Sequence, residues 1–185
     1  MRRAVFLDRD GTIIKERDVL RGVKELRLLR GVALSICTLK KMGFLVIVVT
    51  NQPVVARGWL TEQEVEKVHT VLVSRLKRKN ANIDAIYYCP HHPEANLQKY
   101  RKKCSCRKPN IGMIKQAQKK FSISLKKSFI VGDSTRDILA GNKAGLKTIL
   151  VKTGYAGKDG KYTAKPDFVA KNLMEAVKIV KNDVK

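Results

Sequence analysis

Ala4-Val5-Phe6-Leu7-Asp8-Arg9-Asp10-Gly11-Thr12 is the stretch from which the rest of the chain is read. Its apolar opening, Ala4 to Leu7, predicts a buried strand over residues 4–8. The strand ends in Asp8 and Asp10, and Gly11 turns the chain just after them. A parallel strand in an α/β sheet delivers the residues after it to the carboxyl edge, where ligands bind. Two carboxylates there can hold a divalent cation and still offer an oxygen for attack.

Working outward, apolar runs alternate with amphipathic ones, which predicts an α/β fold: a Rossmann-like parallel sheet with helices on both faces. Residues 13–30 mix charges with apolar side chains and read as a short loop or hairpin. Gly31 to Met42 reads as a helix ended by Gly43, with Cys37 near its apolar face as a buried, inert thiol. Phe44 to Val49 is a continuous apolar run, the central strand candidate, and Thr50-Asn51-Gln52-Pro53 comes directly after it. Thr61 with Glu64 is a capping box opening a long helix. Val65, Val68, Leu72 and Leu76 form its apolar stripe, and His69 joins that stripe as a packed structural histidine. Asp84–Tyr88, Ser128–Val131, Thr148–Val151 and Phe168–Ala170 read as further strands; residues 111–120, 135–144 and a segment capped by Asn172 and Glu175 read as helices. Gly154 to Lys165 reads as a polar surface loop.

At 185 residues the chain fits one domain, 1–185, with a sizeable core, and it is expected to be a monomer. No apolar run reaches the ~18 residues needed to span a bilayer. Met1-Arg2-Arg3 precedes a strand-like run rather than a signal region, so a cytoplasmic protein without membrane partners is expected. Lys and Arg number 39 against 16 Asp and Glu, a net charge of +23. That balance raises nucleic acid as a partner, although aromatics for base stacking are scarce at 6%. A general solvated basic surface is the competing reading.

Three strand ends place polar groups at one sheet edge: Asp8 and Asp10, then Thr50 and Asn51, then Asp133. Carboxylates, a hydroxyl and a lysine suit phosphoryl transfer assisted by Mg²⁺, which takes hard oxygen ligands. Taken together, Asp8-Arg9-Asp10-Gly11-Thr12, Thr50-Asn51, Lys108 and Gly132-Asp133 with Asp137 resemble the four motifs of the haloacid dehalogenase-like phosphatases. The stretches Val49 to Gln52, Tyr87 to Pro93 and Cys104 to Pro109 are similar to the branch holding the heptose-bisphosphate and histidinol-phosphate phosphatases. The resemblance implies Asp8 as the nucleophile and Asp10 as general acid and base, in surroundings that disfavour its full ionisation. It implies Mg²⁺ on Asp8, Asp133 and the backbone carbonyl of Asp10, with Thr50 and Lys108 on the phosphoryl oxygens. Asn51, Gln52 and Arg107 would contact substrate, and Asp137 would support the site.

Cys89-x-His91, then Cys104-x-Cys106, supply a Cys₃His set of the kind that holds structural Zn²⁺, with His92 as a competing ligand; the resemblance favours His91. Without metal the polar loop, residues 89–108, is expected to be disordered. Arg107 and Lys108 come directly after the last ligand, so a metal knot would fix where both point. The basic cluster Lys99, Arg101, Lys102 and Lys103 either overhangs the site as a second anion contact or is a solvated face.

Neither usual insertion point holds a large segment, so an essentially capless site is expected. Two features depart from the sugar phosphatases: Pro53-Val54-Val55 replaces Ser-Gly-Ile, and Lys15 to Leu20 lacks an aromatic. The resemblance therefore implies a small phosphorylated substrate, a sugar bisphosphate. The reading is hydrolysis of the 7-phosphate of D-glycero-D-manno-heptose 1,7-bisphosphate. The alternatives are histidinol phosphate, a nucleic-acid 3′-phosphate, or a non-catalytic zinc-stabilised scaffold.

Overall fold

In the computed structural model, which describes residues 1–16 and 20–184, the strands are β1 (Ala4–Leu7), β2 (Leu45–Asn51), β3 (Ala85–Cys89), β4 (Phe129–Gly132), β5 (Lys147–Val151) and β6 (Phe168–Ala170). They pair in parallel in the order β3-β2-β1-β4-β5-β6. The order reverses direction at β1, so a crevice opens beyond the carboxyl ends of β1 and its neighbours.

The apolar runs are continuous because both faces of the sheet are covered. Val5 and Leu7 of β1, with Val46 and Val48 of β2, pack under α1 (Val32–Lys41), α3 (Glu62–Lys77) and α6 (Leu173–Asp183). Ala4, Phe6, Leu45, Ile47 and Val49 point the other way, against α4 (Gly112–Phe121) and Ala140 of α5 (Thr135–Ala144). The capping box read at Thr61 and the cap read at Asn172 are in place: Thr61 Oγ1 accepts from Glu64 N at 3.2 Å and Asn172 Oδ1 from Glu175 N at 3.1 Å. No helix among the described residues is long and apolar enough to cross a membrane.

Three readings change, and the hairpin read over 13–30 is given its closure. β2 runs on to Asn51, carrying Thr50 and Asn51 within the strand rather than after it. A short helix, α2 (Pro53–Ala56), comes directly after and takes Pro53 at its first turn, where a missing N–H costs no helical bond. The 13–30 segment is pinned by an Ile14–Leu28 bridge and turns through a 3₁₀ stretch at Val23–Glu25; the aromatic-poor loop Lys15–Leu20 lies partly outside the described residues. Cys37 is half-buried, with its thiol donating to the Asn80 carbonyl at 3.1 Å.

Candidate active site

The carboxyl end of β1 delivers Asp8, buried to 9% exposure. Lys108 Nζ lies 2.8 Å from Asp8 Oδ1, 2.6 Å from Asp137 Oδ1 and 2.7 Å from the Val49 carbonyl, so a fully enclosed ammonium is shared by two carboxylates. Lys108 belongs to no strand. Asn51 holds its main chain on both sides, accepting from Lys108 N and donating to Lys108 O at 3.0 Å each. Asn51, read as a substrate contact, lines the cavity and is also a strut for Lys108.

Asp133 leaves β4 beside Asp8, and Asp137 returns from the first turn of α5. Oxygens of Asp8, Asp133 and Asp137 all lie within 4.8 Å of one another. Burial, with Asp137 as like charge, pushes Asp8 up to about 6; burial, with Asp8 and Asp137, pushes Asp133 up to about 9. One lysine does not neutralise this cluster. Hard, converging carboxylate oxygens with excess negative charge fit Mg²⁺. The space for them depends on two glycines at positive φ, because a Cβ on Gly11 or Gly154 would collide with the Asp133 carboxylate. Gly154 belongs to the segment read as a polar surface loop. It is a wall of the site instead: Tyr155 N donates to Asp133 Oδ2 and Gly157 N to the Asp133 carbonyl, both at 2.7 Å.

The Asp10 side chain turns away from this cluster. Arg9 Nε and Nη2 and Gln52 Nε2 donate to its carboxylate at 3.1, 3.0 and 2.9 Å. Asp10 is thus paired with Arg9, 2.9 Å from Nη2 to Oδ2. Gln52 is buried, also bonding Arg9 and Thr50 Oγ1, and so orders Asp10 and Thr50 from beneath. Arg9 is itself buried, with Nη1 3.1 Å from His69 Nε2. A guanidinium only donates, so His69 Nε2 accepts and the ring is neutral. Burial and then the Arg9 charge push His69 down to about 3, which holds it in that state. His69 is packed as read, yet it also braces the arginine that braces Asp10.

The cavity above these groups is lined by Asp8, Asp10, Thr50, Asn51, Gln52, Lys108 and Asp133. Arg107 does not line it; its Nη1 donates to the His91 carbonyl at 3.1 Å. Arg57 and Arg136, singled out by no motif, do line it.

Beside the site, Cys89, His91, Cys104 and Cys106 place their ligand atoms within 4.8 Å of one another. The sulfurs are 2.9–3.3 Å apart, and His91 Nδ1 lies 3.5 Å from Cys106 Sγ. Hydrogen bonding from the Cys89 thiol draws Cys106 down to about 5, so the cluster favours a thiolate. Three sulfurs and one imidazole suit tetrahedral Zn²⁺. His92 is turned elsewhere, with its Nδ1 accepting from Glu94 N at 3.1 Å. Cys89 ends β3 opposite Asn51, which ties the cluster to the strand that holds Lys108. The loop also has an anchor of its own. Ala95 and Tyr100 pack with Val54, Val55 and Leu60, and Tyr100 Oη donates to Glu62 at 2.7 Å.

Comparison with known proteins bears on this arrangement. A family model described as HAD-hydrolase-like matches residues 105–176. The D-glycero-beta-D-manno-heptose-1,7-bisphosphate 7-phosphatase of Pasteurella multocida is 38% identical over 183 residues, covering 98% of each chain. The chain belongs to the haloacid dehalogenase-like phosphatases, in their heptose-bisphosphate branch. A Photorhabdus laumondii member of the branch, with the same name as the Pasteurella enzyme, is 40% identical over 152 residues, 82% of this chain and 81% of its own. The D,D-heptose 1,7-bisphosphate phosphatase of B. bronchiseptica, solved with magnesium and phosphate, superposes with a TM-score of 0.87 at 28% identity, over 98% of this chain and 99% of that one.

Proposed function

We propose that this chain removes the 7-phosphate of D-glycero-D-manno-heptose 1,7-bisphosphate through an aspartyl-phosphate on Asp8. The observation that carries the reading is the buried Asp8–Lys108–Asp137 chain of charges at the carboxyl end of β1, with Asp133 beside it. The relatives' shared name supplies the substrate.

Asp8 Oδ attacks phosphorus in line, and the bond to the leaving sugar oxygen breaks. Asp10 gives that oxygen a proton, then takes one from the water that attacks the phosphoryl-Asp8 phosphorus. Lys108 and Thr50 oppose the charge that builds on the phosphoryl oxygens. Arg9, Gln52 and His69 keep Asp10 in one place between its two duties. Asp8, Asp133 and the Asp10 main-chain carbonyl would hold Mg²⁺, with Asp137 ordering Lys108. Bound there, Mg²⁺ supplies charge neutralisation that lets a dianion approach a carboxylate. Zn²⁺ in the Cys₃His cluster would be structural, fixing the turn that leads through Arg107 to Lys108. We read residues 1–185 as one essentially capless domain working on a small substrate in the cytoplasm.

The test is Mg²⁺-dependent phosphate release from heptose 1,7-bisphosphate, histidinol phosphate and a 3′-phosphorylated DNA end, side by side. Preferred turnover of the first, leaving heptose 1-phosphate by ³¹P NMR, is expected. Preference for either of the others replaces the substrate, and no release from any of them overturns the enzyme reading.

A further inference from the structure

The net charge of +23 is not spread evenly over the fold. Helices α1, α3, α4 and α5 each lead into the next strand, and α6 runs back from β6, so all of them end at the amino edge of the sheet, opposite Asp8. Their last turns carry basic residues, Lys119 and Lys120 of α4 and Lys181 of α6 among them. Cations are ordinary there, because they offset the partial negative charge of a helix C-terminus. The strand starts have no such reason. Arg2 and Arg3 lead into β1, a 3₁₀ turn at Leu125–Lys127 brings Lys126 and Lys127 up to β4, and Lys147 opens β5. Main-chain bonds tie these segments together: Arg2 N donates to the Ser122 carbonyl at 3.0 Å, and Lys147 N to the Ser128 carbonyl at 3.1 Å. Arg3, Lys126, Lys127 and Lys147 line one cleft of about 220 Å³. Arg3 lies over Phe44 and Lys147 over Phe129, 4.6 and 5.8 Å from the ring centroids, which steadies both cations.

Among the described residues, the acids at these strand starts and helix ends are Asp84, Asp167 and Asp183, and each is taken. Lys40 pairs with Asp84, Thr148 N and Oγ1 donate to Asp167, and Lys147 pairs with Asp183. Lys119, Lys120, Lys126 and Lys127 have no acidic partner among the described residues. Like charges gathered on one face repel, and an extended anion offsets that repulsion. Six strands about 4.8 Å apart make the face about 24 Å wide, about seven phosphate steps along one strand of a duplex. Of the large apolar side chains that are exposed, Met1 alone stands at this edge, so no amphipathic wedge is offered to a bilayer. Phe44 and Phe129 are buried, which leaves unpaired bases no platform to stack on and favours contact with a duplex backbone.

We propose that the amino edge of the sheet, centred on Arg3, Lys126, Lys127 and Lys147, is a docking surface for the phosphate backbone of a nucleic-acid duplex, bound without regard to sequence. It lies at the far end of the strands from Asp8, so the duplex is a partner rather than a substrate. The proposal does not depend on which phosphate Asp8 removes. The basic run Lys99 to Lys103 takes no part: Arg101 Nε donates to the Ala95 carbonyl at 2.7 Å, and the run lines neither this cleft nor the Asp8 cavity.

The test is fluorescence anisotropy of labelled DNA and RNA duplexes of about 20 base pairs, longer than the face is wide, titrated with the full chain over a range of salt. A Kd of about 10⁻⁴ to 10⁻⁶ M is expected near physiological salt, with log affinity falling against log salt by a slope of about 4 or more, about 0.9 for each phosphate neutralised. Lys126→Gln with Lys127→Gln is expected to cut that slope by about 2 and to weaken binding about 10- to 60-fold at about 0.1 M salt. Lys152→Gln with Lys171→Gln removes the same charge just past β5 and β6, at the carboxyl edge, and is expected to leave affinity within about twofold. Both double variants are expected to keep wild-type phosphate release, and saturating duplex is expected not to slow it. Binding of only one kind of duplex supports the face and tells DNA from RNA. Equal losses from the two double variants overturn the proposal, because net charge alone then accounts for binding. So do an absence of binding at low salt, capture by phosphatidylglycerol vesicles without capture of duplex, and a duplex that blocks phosphate release by covering the Asp8 cavity.

Discussion

Replacing Lys108 by Met keeps most of the side-chain volume and removes the ammonium that touches Asp8. In the folded chain that ammonium sits within 2.8 Å of Asp8, Asp137 and the Val49 carbonyl, on a side chain that is 1% exposed. Its loss leaves two buried carboxylates facing each other beside Asp133. Breaking a buried pair from one side costs about 3–5 kcal/mol. For a chain of this length each kcal/mol moves the melting temperature by about 2–4 °C, so a fall of roughly 6–20 °C is expected. A domain with about 10 kcal/mol of stability, the middle of the usual range, survives that at room temperature. The chemical step loses a donor aimed at the phosphoryl oxygens, a factor of about 10²–10³ in kcat. The pH profile separates this from a purely structural loss. Burial and Asp137 push Asp8 up to about 6 while Lys108 opposes them. Without Lys108 the Asp8 pKa rises, and because the nucleophile must be ionised, the acid limb of kcat/KM moves to higher pH. Thermal unfolding and an aryl-phosphate pH profile at saturating Mg²⁺ measure both. A fall in melting temperature under about 2 °C together with an unmoved acid limb would refute the shared-ammonium reasoning.

Two further outcomes are expected from the same geometry. Mg²⁺ is expected to raise the melting temperature more at pH 8 than at pH 5: Asp8 and Asp133 are raised from 3.8 to about 6 and about 9, so their contribution to metal-free stability is present below about pH 4 and lost as pH climbs through those values. Mg²⁺ binds the deprotonated forms and restores what is lost, and a pH-independent shift contradicts this. Zinc chelation, or Cys106→Ser, is expected to loosen residues 102–108 and reduce kcat while amide exchange stays slow at Ala95 to Tyr100, which have their own packing. Full activity in zinc-free protein would break the link between the cluster and Lys108.

The fold was legible because strands buried on both faces are spelled as unbroken apolar runs, as in Phe44–Val49, and because Asp8, Thr50 and Asp133 each stand at the end of such a run. Lys108 lacks that signal; it arrives from an irregular loop, and only the resemblance singled it out. The structural partners of Asn51 and Gln52 were not legible because Lys108 and Asp10 lie 57 and 42 residues away. The Arg9–His69 contact spans 60 residues, and periodicity shows only that His69 is on the packed face. α2 is four residues long, too short for a 3.6-residue pattern to register. Gly154 and Tyr155 act through backbone, which a polar composition hides. Arg136 looks like any cation in a helix's first turn until the cavity is seen around it.

Phosphorylation of Asp8 itself is the most direct test of how the site works. Asp10→Asn removes the base needed to hydrolyse the acyl phosphate, yet an aryl phosphate with a good leaving group needs no acid to form it. Mixed with that substrate and Mg²⁺, the variant should release one aryl group per chain in a burst, and the phosphoryl group should be found by mass spectrometry on the peptide carrying Asp8. Slow linear release with an unmodified chain, or a phosphoryl group on any other residue, would contradict nucleophilic catalysis by Asp8.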